Sequence, residues 1–307
     1  MKNSLLLIVL IMLLLAACTA VKAKPVTQVT PQPLPYNMPI IVAHRGARSV
    51  APENTLLAAR RAYGFSAEQW ELDVQLTRDG ELVVLHDDGL ARTSDVVKKF
   101  PWRFFWQVKN FTLAEVKTLD AGSWYLKKDP FGQIENGTLN AEEQAQIAGT
   151  DFPTLREALE LTKELGWKVN VELKDVSKTP GDAVIVAKTV ALIEELDMVE
   201  SVLISSFKHD YLVQVKALNP AIQTAALVTE MEDPIALLKS LGADAINPNY
   251  SKITDLAIIK EIRDAGYDVY VWTVNDENEM MECINAGVSG VITDYPQRMV
   301  DVLAKYE

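Results

Sequence analysis

Short apolar runs recur along the chain and alternate with stretches of helical period. The runs "PIIVAH" (39–44), "WELDVQL" (70–76), "ELVVLH" (81–86), "KVNVEL" (168–173), "SVLISSF" (201–207), "IQTAALV" (222–228), "ADAINP" (243–248), "YDVYVWTV" (267–274) and "SGVIT" (289–293) predict nine strands. Between most of them lie amphipathic segments such as "TLREALELTKELG" and "DENEMMECINAG". These open on Thr or Asp and close on Gly, the residues that cap helix ends. Repeated strand–helix units imply a parallel sheet covered on both faces. About eight such units favour a closed β/α barrel of the TIM type over an open doubly wound sheet. Nine strands for eight places leave one strand over.

Two stretches break the rhythm. The second and third strands have no helix between them. They are joined by "TRDGE", and Asp79-Gly80 is a hairpin signal. Residues 95–151 form a longer insertion after the third strand, with Trp102, Trp106, Trp124 and Tyr125. In a barrel this is where active-site loops sit. Its aromatics are expected to divide between a satellite core and the pocket wall.

The N-terminus reads differently. Lys2, an apolar run from Leu5 to Ala17 and small residues before Cys18 have the form of a secretory signal, too short to span a membrane comfortably. Cysteine directly after Leu15-Ala16-Ala17 resembles a bacterial lipobox. That makes 1–17 a lipoprotein signal peptide and Cys18 the lipidated first residue of an exported, membrane-anchored protein. The plainer alternative is an ordinary signal with a chance cysteine. The proline-rich stretch that follows reads as a flexible, extended tether over 18–38, with the barrel domain over 39–307. Cys283 is the only other cysteine, so the body has no internal disulfide and rests on its core. Loss of Lys2 with the leader takes the net charge from −12 to −13. So acidic a body argues against nucleic acid as a partner, and an anionic ligand would need a local cationic site.

The candidate chemistry sits at strand ends. With Asp79 and Gly80 as a two-residue turn, Asp73 lies across from His86, and Glu71 shares the face of Asp73. A longer turn would shift this register. Asn170, Glu172 and Lys174 alternate onto one face of the fourth strand, where a barrel normally places branched apolar residues. Buried carboxylates need partners. Glu71, Asp73 and Glu172 together offer only oxygens, which suits Mg²⁺ or Ca²⁺ rather than zinc. The alternative is a structural network with Lys174 and Arg45. His44 and Arg45 close the first strand on the active-site face, and Gly46 lets the chain turn there. In "PENT", Pro52 and Asn54 read as a helix start, with Asn54 as its cap. His209 reads as a helix-start residue rather than a catalyst. Trp272 is either pocket wall or core.

These stretches carry a resemblance. His44-Arg45-Gly46 with Pro52-Glu53-Asn54-Thr55, then Glu71-Leu72-Asp73-Val74, Asp79-Gly80, His86-Asp87, Arg92-Thr93, Glu172-Leu173-Lys174, Ser205-Ser206-Phe207, Trp272-Thr273-Val274-Asn275 and Thr293-Asp294 resemble, in order, the glycerophosphodiester phosphodiesterase family. The likeness runs from about residue 40 to 300 and is weakest in the insertion. It implies a β/α barrel, a divalent cation, and hydrolysis of a small-molecule glycerophosphodiester to glycerol 3-phosphate and an alcohol. It further implies His44 and His86 as the histidine pair, Glu71, Asp73 and Glu172 as metal carboxylates, and Arg45 and Lys174 at phosphate-engaging positions.

Elementary chemistry agrees. A phosphodiester is anionic and has a poor alkoxide leaving group. A cation acts on it as a Lewis acid, Arg45 can grip phosphate with two donors, and Lys174 adds a point charge. Two imidazoles can divide the proton transfers. Two other readings stay open: cleavage of lysophospholipids or phosphoinositides on the same barrel, favoured by a wide apolar groove in 95–151, and a surface-anchored, non-catalytic binding protein.

Overall fold

The computed structural model of the protein describes residues 29–306. The expected leader and Cys18 therefore lie outside the described residues. Among the described residues nine strands form one sheet: β1 (Ile40–Ala43), β2 (Gln69–Leu76), β3 (Leu82–Val84), β4 (Lys168–Leu173), β5 (Val202–Ser206), β6 (Gln223–Val228), β7 (Ala245–Pro248), β8 (Asp268–Val271) and β9 (Gly290–Thr293). Eight of them are parallel and close a barrel, because β1 pairs with both β2 and β9. The strand left over is β3, which is antiparallel and pairs with β2 alone.

Helices cover the barrel in the alternation that the sequence predicts. Their caps are local. Thr154 and Glu157 make a capping box on the helix Leu155–Glu164, and Asp276 caps Glu277–Ala286, which ends at Gly287. Thr55, not Asn54, caps Leu56–Gly64: its hydroxyl accepts from Ala58 N. Along β2, Trp70, Leu72 and Val74 point out to the helices and are fully buried. Trp70 stacks on Trp167 at 6.1 Å and donates to Thr162. Glu71, Asp73 and Gln75 therefore point into the barrel.

Residues 95–151 form short helices, including Val96–Lys99, Leu113–Val116 and Ser123–Lys128. Val96, Val108, Phe111, Val116 and Leu119 close over Val83 and Leu85 as a satellite core. The stretch expected as a tether is described from Val29 onward, and there it lies along the outside of the barrel. Gln32 N donates to Asn285 Oδ1 at 3.1 Å, and the Tyr36 hydroxyl donates to Asp264. The ring of Tyr36 takes the place that a Cβ on Gly287 would fill, 2.6 Å away.

Candidate active site

The hairpin register differs from expectation by one residue. Gln75 faces Val83 and Leu76 faces Leu82, so Asp73 lies opposite Leu85 rather than His86. The turn has three residues, not two: Thr77 and Glu81 close it, and Gly80 supplies a φ of +77°. Asp79 is taken up in that closure, accepting from Thr77 Oγ1 at 2.6 Å and Leu113 N at 3.0 Å. His86 still reaches the pocket, because β3 ends at Val84 and the chain leaves the ladder. Gln75 fixes that departure by donating to the carbonyls of His86 and Asp87 at 3.0 and 2.7 Å.

At the end of β1 two successive left-handed residues, Arg45 (φ +54°) and Gly46 (φ +79°), turn the chain. A Cβ on Gly46 would lie 2.6–2.8 Å from Ala58, so the expected tight turn does need glycine. The turn aims Arg45 N at Glu71 Oε2, 2.8 Å away. The Arg45 side chain runs past His44 Nε2 (3.2 Å) and Asp73 Oδ2 (3.4 Å) to Glu53 Oε1 (2.8 Å).

Each histidine of the pocket is backed by a carboxylate. His44 Nδ1 is 2.7 Å from Asp294 Oδ1, and Asn275 donates to the other Asp294 oxygen at 2.8 Å. His86 Nδ1 is 2.8 Å from Asp87 Oδ1, and Arg92 clamps Asp87 with bonds of 2.6 and 2.9 Å. Burial lowers the His44 pKa, the Arg45 charge lowers it further, and these outweigh the opposite pull of Asp294. That direction favours the neutral imidazole, with Nδ1–H donated to Asp294 and Nε2 as its basic atom, which accepts from Arg45 Nε at 3.2 Å.

Glu53 joins the two arms. It accepts from Arg45 (2.8 Å), Arg48 (3.0 Å) and Arg92 (2.6 and 3.0 Å). Burial by itself would raise its pKa, but the bonds from Arg92 and the three guanidinium charges hold it at about 2. Glu53, Asp87, Arg92, Asn275 and Asp294 all lie in the quoted motifs, yet spacing assigned none of them a task. Nothing in their local pattern set them apart from ordinary turn and cap residues. Asn54, expected as a helix cap, instead sits at φ +59° and exchanges two bonds with Asp73: Nδ2 to Oδ2 at 2.7 Å and Asp73 N to Oδ1 at 3.1 Å.

Glu71, Asp73 and Glu172 do converge. Parallel pairing sets Asp73 beside Glu172, and carboxylate oxygens of the three residues lie within 4.8 Å of one another. Burial and the neighbouring carboxylates push Glu71 well above the usual carboxylate range, and burial and Asp73 raise Glu172. Asp73 is held low, against burial, by Lys174 and Arg45. Lys174 Nζ lies 2.7 Å from Glu172 and 3.4 Å from Asp73. Asp73 Oδ1, the oxygen 3.4 Å from Lys174 Nζ, is buried and makes no hydrogen bond. Three mutually repelling carboxylates, one with an oxygen to spare, fit a hard divalent cation. The ion pairs expected of a structural network are therefore present together with a cation-compatible trio.

The pocket wall is completed by Phe207, Leu227 and Trp272, with Asn170 and Ser205 deeper in. Phe207 and Trp272 meet edge to face at 5.6 Å, and Trp272 Nε1 donates to Asn247 O at 2.7 Å. No residue of 95–151 is among those lining the pocket, so the insertion's expected share of the pocket wall is not found. His209 begins the helix His209–Leu218, as expected, and its Nε2 is bonded to Leu227 O at 2.9 Å.

Imidazoles and cationic side chains beside a carboxylate trio, at the C-terminal mouth of a β/α barrel, define a hydrolase of anionic esters. The model of the glycerophosphoryl diester phosphodiesterase family matches residues 44–298. A glycerophosphodiester phosphodiesterase of Caldanaerobacter subterraneus is 34% identical over 87% of this chain and 98% of its own. One from Bacillus subtilis is 33% identical over 84% of each. The structure of an Oleispira antarctica phosphodiesterase in complex with the product sn-glycerol-3-phosphate superposes with a TM-score of 0.72 at 30% identity, covering 87% of this chain and 97% of that one. The chain belongs to the glycerophosphoryl diester phosphodiesterase family, and it is a phosphoric diester hydrolase.

Proposed function

We propose that this enzyme hydrolyses glycerophosphodiesters to glycerol 3-phosphate and an alcohol, with Glu71, Asp73 and Glu172 holding a divalent cation, Mg²⁺ or Ca²⁺. The observation that carries the reading is the pair of carboxylate-backed imidazoles flanking the Glu71–Asp73–Glu172 trio in one pocket. The bound cation would supply Lewis-acid polarisation of a phosphoryl oxygen.

The chain's own residues do the rest. Arg45 and Lys174 neutralise the phosphate, Arg45 turning from Asp73 and Lys174 from Glu172 towards the ester. His44, neutral and fixed by Asp294, takes the proton of the attacking hydroxyl at Nε2. His86, oriented by Asp87, gives a proton from Nε2 to the departing alkoxide. The carboxylates behind the rings keep each Nδ1 occupied, and His44 Nε2 is freed for transfer as Arg45 Nε turns from it to the phosphate. Trp272 and Phe207 form the apolar wall for the glycerol or headgroup carbons. The Oleispira enzyme's complex with sn-glycerol-3-phosphate supports the product. A membrane-anchored location through Cys18 follows from the sequence motif and belongs to the same proposal.

The deciding assay is product release from glycerophosphocholine with and without chelator. Free choline, lost with chelator, is expected. Choline phosphate, or full activity after exhaustive metal removal, overturns the reading. No residue of 95–151 lines the pocket of His44 and His86, so that pocket lends the lysophospholipid alternative no support.

A further inference from the structure

The insertion exposes aromatics that the chemistry does not use. Trp102, Phe104 and Phe105 are 70%, 86% and 79% exposed, although such side chains usually sit inside. They crown the loop 100–106, and Phe105 turns the chain at φ +62°. The loop is braced from below. The Arg103 guanidinium lies over Phe100 and Phe111 at 5.1 and 4.4 Å and is salt-bridged to Glu115. Hence the three rings project from a fixed base.

The loop stands at the active-site end of the barrel. Directly after His86 and Asp87 the chain pairs with its far limb: Val108 N donates to Asp88 O at 2.9 Å, and Leu90 N to Trp106 O at 2.7 Å. Its own segment is cationic in an acidic protein. Between Asp95 and Glu115 there are four cations, Lys98, Lys99, Arg103 and Lys109, and no acidic residue. Lys98 and Lys109 take part in no salt bridge among the described residues, whereas Lys99 faces Asp95 at 3.7 Å.

We propose that the loop Phe100–Trp106 docks on an anionic lipid bilayer, with Trp102, Phe104 and Phe105 at the headgroup boundary and Lys98 and Lys109 against the anionic surface. Aromatic tips within a cationic rim suit that interface. A second copy of the chain suits it less, because it would bring one cationic rim against another. The start of the described chain points the same way. Val29 lies at the first turn of Glu277–Ala286, its N 3.4 Å from Asn278 Oδ1, so the tether arrives at the active-site end of the barrel. Cys18 stands eleven residues before Val29, a reach of at most roughly 40 Å for extended chain. The two attachments would hold the mouth of the barrel against the membrane. This rests on the anchoring reading for Cys18 only for the second attachment.

The test uses the full chain, mixed with vesicles of phosphatidylglycerol and phosphatidylethanolamine whose acyl chains are brominated. Bromine should quench tryptophan emission. Trp102→Phe should lose that quenching, and Phe104→Trp added to Trp102→Phe should restore it. Turnover of a soluble glycerophosphodiester in detergent should be unchanged in both variants, which shows that they fold. Quenching that is absent in the parent chain, or equal in Trp102→Phe, overturns the proposal. So does a Phe105→Cys variant that cross-links into dimers in solution at the rate at which it binds vesicles. The mass of the N-terminal peptide reports acylation of Cys18 separately, so failure of the anchor and failure of the loop are distinguishable.

Discussion

His44 Nδ1 lies 2.7 Å from Asp294 Oδ1, although 250 positions separate the two residues. Barrel closure makes the contact. β1 pairs with β9 in the register Ala43↔Thr293, so the next residue of each strand emerges side by side at the mouth. The ring is therefore held from behind with Nε2 towards the pocket.

His44→Ala and His86→Ala should each cut turnover by roughly two to four orders of magnitude, the usual size of a lost acid–base group. KM should change much less. His209→Ala should be mild, since its ring only meets the Leu227 carbonyl. Steady-state kinetics of the three variants decide. Equal losses at all three would point to stability instead.

Mg²⁺ or Ca²⁺ should raise the thermal midpoint of the metal-stripped protein. A cation at a hundred times its dissociation constant stabilises by about 2.7 kcal/mol, which means several degrees for a chain of this size. Glu71→Gln combined with Asp73→Asn should abolish the shift. A shift that survives in that variant would place the cation elsewhere.

Glu53 ties acid stability to the site. Its folded-state pKa of about 2 lies below the ordinary 4.5. A depressed carboxyl contributes stability that is complete above its unfolded pKa and is lost as pH falls through the folded one. The window is thus pH 4.5 down to 2, and the contribution is about 3 kcal/mol. Glu53→Gln should be less stable than the parent at pH 6, and the gap should close as pH falls through that window. Urea unfolding at pH 6, 4 and 3 measures it, and a constant gap would contradict the assignment.

The glycerol hydroxyl next to the phosphate is held close by the substrate itself, which favours internal attack and a cyclic ester. On that route a 2-deoxy glycerophosphodiester should bind as a competitive inhibitor and not turn over. Its rapid hydrolysis would mean direct attack by water.

Cys18→Ser should leave the membrane fraction or remain uncleaved, because a multiply acylated anchor holds firmly where a single chain does not. Fractionation and the N-terminal mass check this. Unchanged processing and association would contradict the lipobox.

What the sequence determined is what short range dictates. Strand–helix alternation announced the barrel, with a strand to spare. Two-residue periodicity put Glu71 with Asp73, and Asn170 with Glu172, on inward faces. A glycine after His44-Arg45 marked the turn. Other features needed the tertiary structure. The β2–β3 register follows from a turn one residue longer than Asp79-Gly80 alone suggests, in which Asp79 also accepts from Leu113 N of another segment. Asn54 left the cap to Thr55 because Asp73, across the barrel end, offered it two bonds. Glu53 drew its task from three arginines, of which Arg92 lies 39 positions away. The insertion's aromatics divided between a satellite core, with Phe111 fully buried, and the surface, where Trp102, Phe104 and Phe105 stand exposed. Local pattern fixes which way a side chain faces along its own strand. What stands opposite it, and hence whether a charge is paired or left over, is settled only when the barrel closes.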